Sequence, residues 1–301
     1  MIELPEAINL AKQMRETVRG KTVSAVYPPS SPHKFCWFNH EPEEYQALLA
    51  GHTVTGAAGF GIFSELEFDG GVRLCFNDGV NPRFIRKEEV RPKKYQLLLE
   101  FTDGSAIVFT VAMYGSISCH SGDYDNEYYR KSIESISPLT EEFDEGYFKE
   151  LLASVKPAMS VKAFLATEQR MPGLGNGCLQ DILFQAGIHP KRKVSSLSDC
   201  EKNVLWAQVK TVLQTMTEQG GRDTEKDLFG NPGGYQTLMS KNTWASGCPA
   251  CGGEIVKENY LAGRSITVRR ARKWRKRRDE DNRPDRRNEL GKHRYLLSGY
   301  Q

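Results

Sequence analysis

Near the start of the chain, apolar residues recur at four-three-four spacing, at Ala7, Ala11, Met14 and Val18, which predicts one amphipathic helix over residues 5–19. Pro5 suits its first turn and Gly20 can end it. From residue 22 to 120 the pattern becomes short runs of Val, Ile, Leu and Phe separated by turn formers: Asp69-Gly70-Gly71, Asp78-Gly79 and Asp103-Gly104. The runs Gln96–Phe101 and Ala106–Val111, either side of Asp103-Gly104, predict a hairpin, and the whole stretch predicts a β-sandwich. Pro138-Leu139 with Glu141-Glu142 marks a boundary, beyond which helical periodicity holds to about residue 240. Phe148-Leu151-Leu152 and Val161–Gln169 are helix candidates. Cys178–Ala186 is a third, stopped by Gly187. Ser198 with Glu201 forms a capping box for a fourth that runs to Glu218. Residues 248–268 read as a small hairpin module. The expected fold class is therefore α+β, divided into residues 1–130 (helix and β-sandwich), 131–242 (helical), 243–268 (hairpin) and 269–301 (a polar, arginine-rich tail read as disordered).

Composition narrows the setting. A chain of 301 residues can bury two cores. No apolar run approaches the ~20 residues needed to cross a bilayer, and residues 1–19 lack the order of a signal peptide, so a cytoplasmic address is expected. Seven cysteines without the dense spacing of a disulfide scaffold suit a reducing compartment; Cys36, Cys75, Cys119, Cys178 and Cys200 read as buried or incidental thiols. The net charge of +3 hides a split, since residues 264–301 hold 14 Lys/Arg against 5 Asp/Glu and leave 27 against 33 in residues 1–263. Nucleic-acid binding by the acidic body would need a local basic patch.

The candidate chemistry gathers around Pro172-Gly173-Leu174-Gly175-Asn176-Gly177, which precedes a helix. Backbone N–H groups left over at a helix start can converge on an anion there, with Asn176 as a further donor and Lys162, Lys191, Arg192 and Lys193 as surrounding cations. Its context is more specific than the loop alone. Ala166-Thr167-Glu168-Gln169-Arg170, then Met171 through Gly177, then Asp181 through Pro190 resemble the helix-two-turn-helix of the formamidopyrimidine-DNA glycosylase / endonuclease VIII family. The resemblance extends to Ile2-Glu3-Leu4-Pro5-Glu6, to Ser137-Pro138-Leu139 with Glu142-Phe143-Asp144, and to Cys248-x2-Cys251-Gly252, in the family's order over most of residues 1–264.

This resemblance implies a bifunctional DNA glycosylase and abasic-site lyase that bends damaged duplex DNA as a monomer and flips the damaged base into a pocket between two domains. By position Glu3 would be a proton donor, and Glu6 would help to position the terminus. Lys162, Gly175, Asn176 and Arg264 would hold the DNA backbone, and Met113 and Tyr114 would fill the gap left in the stack. Met113 and Tyr114 read equally well as core residues, and Glu3 and Glu6 as exposed first-turn carboxylates that favour the helix dipole.

Three departures bear on activity. The family's chemistry starts from an N-terminal proline whose amine attacks the sugar and forms an imine, but here the second residue is Ile2. A bulky second residue normally keeps its initiator methionine, so the amine is expected on Met1, or on Ile2 if processing is unusual. The family's hairpin lysine is absent from Gly59 through Glu65. Zn²⁺ is implied by the family, and Cys248 and Cys251 would be one ligand pair, but a four-cysteine site needs a second Cys-x2-Cys after ~15–20 residues and none follows. His293 is the sole later candidate.

Two functional classes therefore stand: an active repair enzyme, and a catalytically impaired lesion-DNA-binding protein without the proline and half the zinc site. Allowed codons for Ser265 through Trp274, read from the third base, spell Tyr-Tyr-Cys-Pro-Pro-Cys-Gln-Lys-Val. The tail after Arg264 is accordingly read as a frameshift product, with a nucleic-acid-binding basic tail as the rival. Sequencing the gene here is expected to show that a single-base change restores two cysteine codons; if none does, the frameshift reading is wrong.

Overall fold

The computed structural model describes residues 1–261 and 263–268. The tail 269–301, together with His293 and the readings attached to it, lies outside them.

The first helix, α1 (Leu4–Val18), starts with Pro5 in its first turn and turns Ala7, Leu10, Ala11, Met14 and Val18 inward. The strands that follow are β1 (Val23–Tyr27), β2 (Cys36–Phe38), then after the short helix α2 (Tyr45–Leu49) β3 (Val54–Phe60), β4 (Phe63–Phe68), β5 (Val72–Asn77), β6 (Val80–Ile85), β7 (Leu97–Phe101), β8 (Ala106–Val111) and β9 (Gly115–Ser121). They form two sheets, ordered β1-β7-β8-β6 and β2-β9-β5-β4-β3. Leu66, Leu74 and Phe76 of one sheet share a core with Leu97, Leu99, Ile107 and Phe109 of the other. Phe76 meets Phe109 edge to face at 5.1 Å. Each such buried side chain contributes about 1.5–3 kcal/mol.

The predicted hairpin is β7–β8, antiparallel with Leu97 opposite Phe109. Asp78-Gly79 is not a hairpin turn. It carries the chain from β5 in one sheet to β6 in the other. A dipeptide that permits left-handed backbone, here with Asp78 at φ 54°, marks a reversal without saying which strands pair across it.

The second core is helical: α3 (Glu127–Glu134), α4 (Glu145–Ser154), α5 (Val161–Ala166), α6 (Asn176–Ala186) and α7 (Asp199–Glu218). The side chains of Asn126, Asp144, Ser160 and Ser198 cap α3, α4, α5 and α7. Ser198 and Glu201 form the expected capping box, and Gly187 closes α6 in a left-handed conformation, φ 68°. The helix expected over Val161–Gln169 stops at Ala166, because Glu168 and Gln169 take φ 61° and 51°. Arg170 covers the freed end by donating to the Thr167 carbonyl. Helix α3 was not anticipated, and it straddles the expected boundary at residue 130.

One helix serves both cores. While most of the apolar face of α1 faces the sandwich, its first residue, Leu4, is buried with Phe143, Phe164, Leu174 and Leu179 of the helical core. Residues 219–240 wrap back across both: Asn9 Nδ2 donates to the Gly220 carbonyl at 3.0 Å, Leu228 enters the sandwich core, and Asp181 accepts the N–H groups of Leu238 and Met239 at 2.8 Å each. The last two strands, β10 (Ile255–Tyr260) and β11 (Gly263–Val268), pair as an antiparallel hairpin beside α6. Among the described residues, no helix is long and apolar enough to cross a membrane.

Candidate active site at the domain junction

The glycine loop before α6 does hold an anion, and the anion is Glu3. Its carboxylate accepts from the backbone N–H groups of Gly175 (3.0 Å), Gly177 (2.7 Å) and Cys178 (2.8 Å), so the start of α6 is capped by a side chain from just before α1. The glycines make room for this. A Cβ on Gly175 would sit 2.6 Å from the Glu3 carboxyl carbon, and one on Gly177 would overlap Arg222 at 1.3 Å. The expectation that the Gly175 N–H grips DNA is therefore corrected, since its hydrogen is already spent within the protein.

Arg222 completes the cluster. It donates to Glu3 (3.2 Å), to both oxygens of Glu6 (3.0 and 2.7 Å) and to the Met1 carbonyl (3.0 Å). Glu6 also accepts from the Glu3 and Arg222 N–H groups. All three side chains are buried, so neither carboxylate is an exposed first-turn charge. Burial alone would raise the Glu3 carboxyl, but the Arg222 guanidinium and the N–H donors of Cys178 and Gly177 outweigh it and hold Glu3 below the ordinary carboxylate range. Both oxygens of the Glu3 carboxylate are thus engaged within the protein, at the place where a proton donor was expected. Sequence reasoning passed over Arg222. Two acidic residues in the buried first turn of α1 demand a cation, but nothing in the sequence says which one supplies it.

The cluster fixes the terminus. The Ile2 N–H donates to the Asp78 carbonyl at 2.6 Å, and the Ile2 side chain is buried in the sandwich core. Met1 stays accessible, and its α-ammonium forms an ion pair with Glu225. Burial pushes the Asp78 carboxyl up, partly offset by the same ammonium. Against this turn leans the loop between β8 and β9, through hydrogen bonds from Gly79 N–H to the Tyr114 carbonyl and from Ala112 N–H to the Gly79 carbonyl. Met113 and Tyr114 at its tip are exposed, 62% and 37%, which removes the core reading for them. The terminus, Glu3, Glu6, the glycine loop and the Met113-Tyr114 tip thus meet at one junction.

The expected cations are arranged differently. Lys162 is buried, and its ammonium donates to the Tyr260 carbonyl (2.7 Å) and to Ser265 Oγ (3.1 Å) in the β10–β11 hairpin. It is not a surface phosphate ligand; it holds the hairpin turn, and burial lowers its pKa. Lys191 pairs with Glu258, and Arg192 with Glu201. Asn176 is exposed at the first position of α6, against Gly263 of the hairpin. The backbone of Arg264 lies opposite Asn259, between the two residues nearest that Lys162 anchor. No lysine stands in the β3–β4 hairpin.

Cys248 and Cys251 come together beside Ile255, Ile266 and Val268, but among the described residues no group of three or more His, Cys, Asp or Glu could hold a metal. Two thiols do not fit a structural zinc, which takes four ligands. The hairpin is seated by apolar contacts, Lys162 and a hydrogen bond from Ile266 N–H to Gln180 Oε1.

Residues 135–227 match the family described as Formamidopyrimidine-DNA glycosylase H2TH domain. Formamidopyrimidine-DNA glycosylases of Bacillus subtilis and Lactococcus lactis subsp. cremoris are 29% and 26% identical, over 73% and 88% of this chain and 79% and 96% of their own. The chain is similar to formamidopyrimidine-DNA glycosylases along most of its length and carries a match to their H2TH domain. The Lactococcus lactis Fpg solved with abasic-site DNA shares its fold at a TM-score of 0.75 and 22% identity, over 89% of this chain and 98% of that one; the same enzyme with FAPY-dG DNA aligns equally well. Depression of the Glu3 carboxyl makes stability pH-dependent. A carboxyl lowered on folding stabilises fully above its unfolded pKa and loses that contribution as pH falls through the folded value. Glu3→Gln is therefore expected to cost about 3 kcal/mol or more near neutral pH and to flatten the acid limb of a urea-denaturation pH series. An acid limb as steep as wild type would contradict the assignment.

Proposed function

We propose that the protein is a base-excision-repair DNA glycosylase with abasic-site lyase activity, acting as a monomer on damaged bases in duplex DNA. The observation that carries this reading is the accessible Met1 amine, held at the junction of the sandwich and the H2TH domain beside an exposed Met113-Tyr114 tip. A damaged base leaves the stack at a cost of a few kcal/mol, and the tip's side chains fill the space. Asn176 and Arg264 then hold the backbone of the lesion strand, while Lys162 positions the hairpin that carries Arg264.

The amine is primary and sits one residue outside the family's place for it. Once deprotonated, a primary α-amine can still add to the sugar carbon and form an imine. Its nitrogen bonds to the sugar C1′ as the glycosidic bond breaks, and the departing base takes a proton. Cleavage of the C1′–O4′ bond, with O4′ taking a proton, then gives the imine, which acidifies C2′, and loss of that proton expels the 3′ phosphate. No step requires zinc.

The reading as a lesion-binding protein without catalysis rests on the absent proline and the half zinc site, and it is not favoured, because the terminus is accessible at the junction. Incision of labelled duplexes tests the choice. A duplex with an abasic site is expected to be nicked, one with a ring-opened purine to lose the base and then be nicked, and undamaged duplex to stay intact. Tight binding to both lesions without a nick would overturn the enzymatic reading.

A further inference from the structure

Chemistry on Met1 raises a problem that a secondary amine does not pose. A proline amine gives an iminium, cationic whatever surrounds it, whereas a primary amine gives an imine that is an electron sink only while protonated. Before that, the ammonium must lose a proton to expose its lone pair, and the carbinolamine must gain one to release water. A proton carrier must therefore touch the terminal nitrogen.

Glu225 occupies that place. Its carboxylate is in direct contact with the Met1 ammonium, and the contact is framed on both sides. Arg222 Nη2 holds the Met1 carbonyl at 3.0 Å, Ile2 N–H holds the Asp78 carbonyl at 2.6 Å, and the Glu225 N–H donates to the Arg222 carbonyl at 3.1 Å. Arg222 thus fixes both ends of the pair, and Glu225 keeps a side-chain exposure of 24%. Of the other carboxylates of the junction, Glu3 is committed to the α6 N–H groups and Glu6 to Arg222, while Asp78 also feels the ammonium electrostatically but Glu225 is the one in hydrogen-bond contact with it. A freely solvated surface ion pair contributes little, whereas this one is held at the single atom that reacts.

We infer that Glu225 is a catalytic residue that shuttles the proton of the Met1 amine during imine formation, an assignment that rests on the function proposed above. Its carboxylate takes one proton from the ammonium, the freed nitrogen bonds to C1′ of the open-chain abasic aldehyde, and the aldehyde oxygen becomes the carbinolamine hydroxyl. Glu225 returns the proton to that hydroxyl, which leaves as water, and the protonated imine remains paired with the regenerated carboxylate. Nothing is oxidised or reduced.

The test uses the full chain, an abasic-site duplex and borohydride trapping under single-turnover conditions, with the adduct mapped by peptide mass. Wild type is expected to trap on Met1. Glu225→Gln should trap about 100-fold more slowly with duplex affinity unchanged, Glu225→Asp should recover part of the rate, and added acetate should partly rescue Glu225→Ala. Trapping by Glu225→Gln at the wild-type rate would overturn the assignment. So would slow trapping that neither aspartate nor acetate relieves, which would make Glu225 a mere tether. Absence of a Met1 adduct in wild type would overturn the proposed function and this inference together, an outcome distinct from both others, which keep the adduct.

Discussion

The structure depends on one buried guanidinium. Arg222 lies between Glu3 and Glu6 with all three side chains out of solvent, and removing the partner of a buried charge typically costs about 3–5 kcal/mol. The members come from distant parts of the chain: the first turn of α1 and the segment after α7. Through Glu3 the cluster also caps α6, and through the Met1 carbonyl it sets where the chain begins. The sandwich, the helical core and the terminus therefore share one electrostatic joint.

That joint changes the meaning of the loop that first drew attention. A glycine-rich turn before a helix can cradle an outside anion or admit an inside one, and the two give the same sequence pattern. Here close approach of Glu3 and Arg222 explains Gly175 and Gly177, and the exposed Asn176 between them is the residue left facing outward. The elements themselves were legible because their signals are local: the stripe of α1, the Asp103-Gly104 hairpin, the Ser198 box and the Gly187 stop each follow from neighbours within a few residues. The sheet switch at Asp78-Gly79, the early end of α5 and helix α3, whose core contacts are few, were not, because tertiary pairing decides them. Arg222 was illegible for the same reason, lying 216 residues from Glu6.

The hairpin shows how a lysine's role turns on burial. Lys162 has the position and charge of a phosphate anchor, but its ammonium is spent on the carbonyl and hydroxyl groups of the turn between β10 and β11. Its effect on DNA binding would pass through the placement of that turn. Together with the apolar seat around Ile255 and Ile266, this gives the hairpin a means of staying in place that two thiols alone could not provide.

The Arg222 cluster couples the two cores and the terminus. Amide hydrogen exchange on Arg222→Met tests it most directly, since methionine fills similar space without the charge. Protection should fall together in α1 and at the start of α6, while β7 and β8, deep in the sandwich, keep theirs. Loss of protection confined to residues 220–225, with α1 and α6 as slow as wild type, would contradict it.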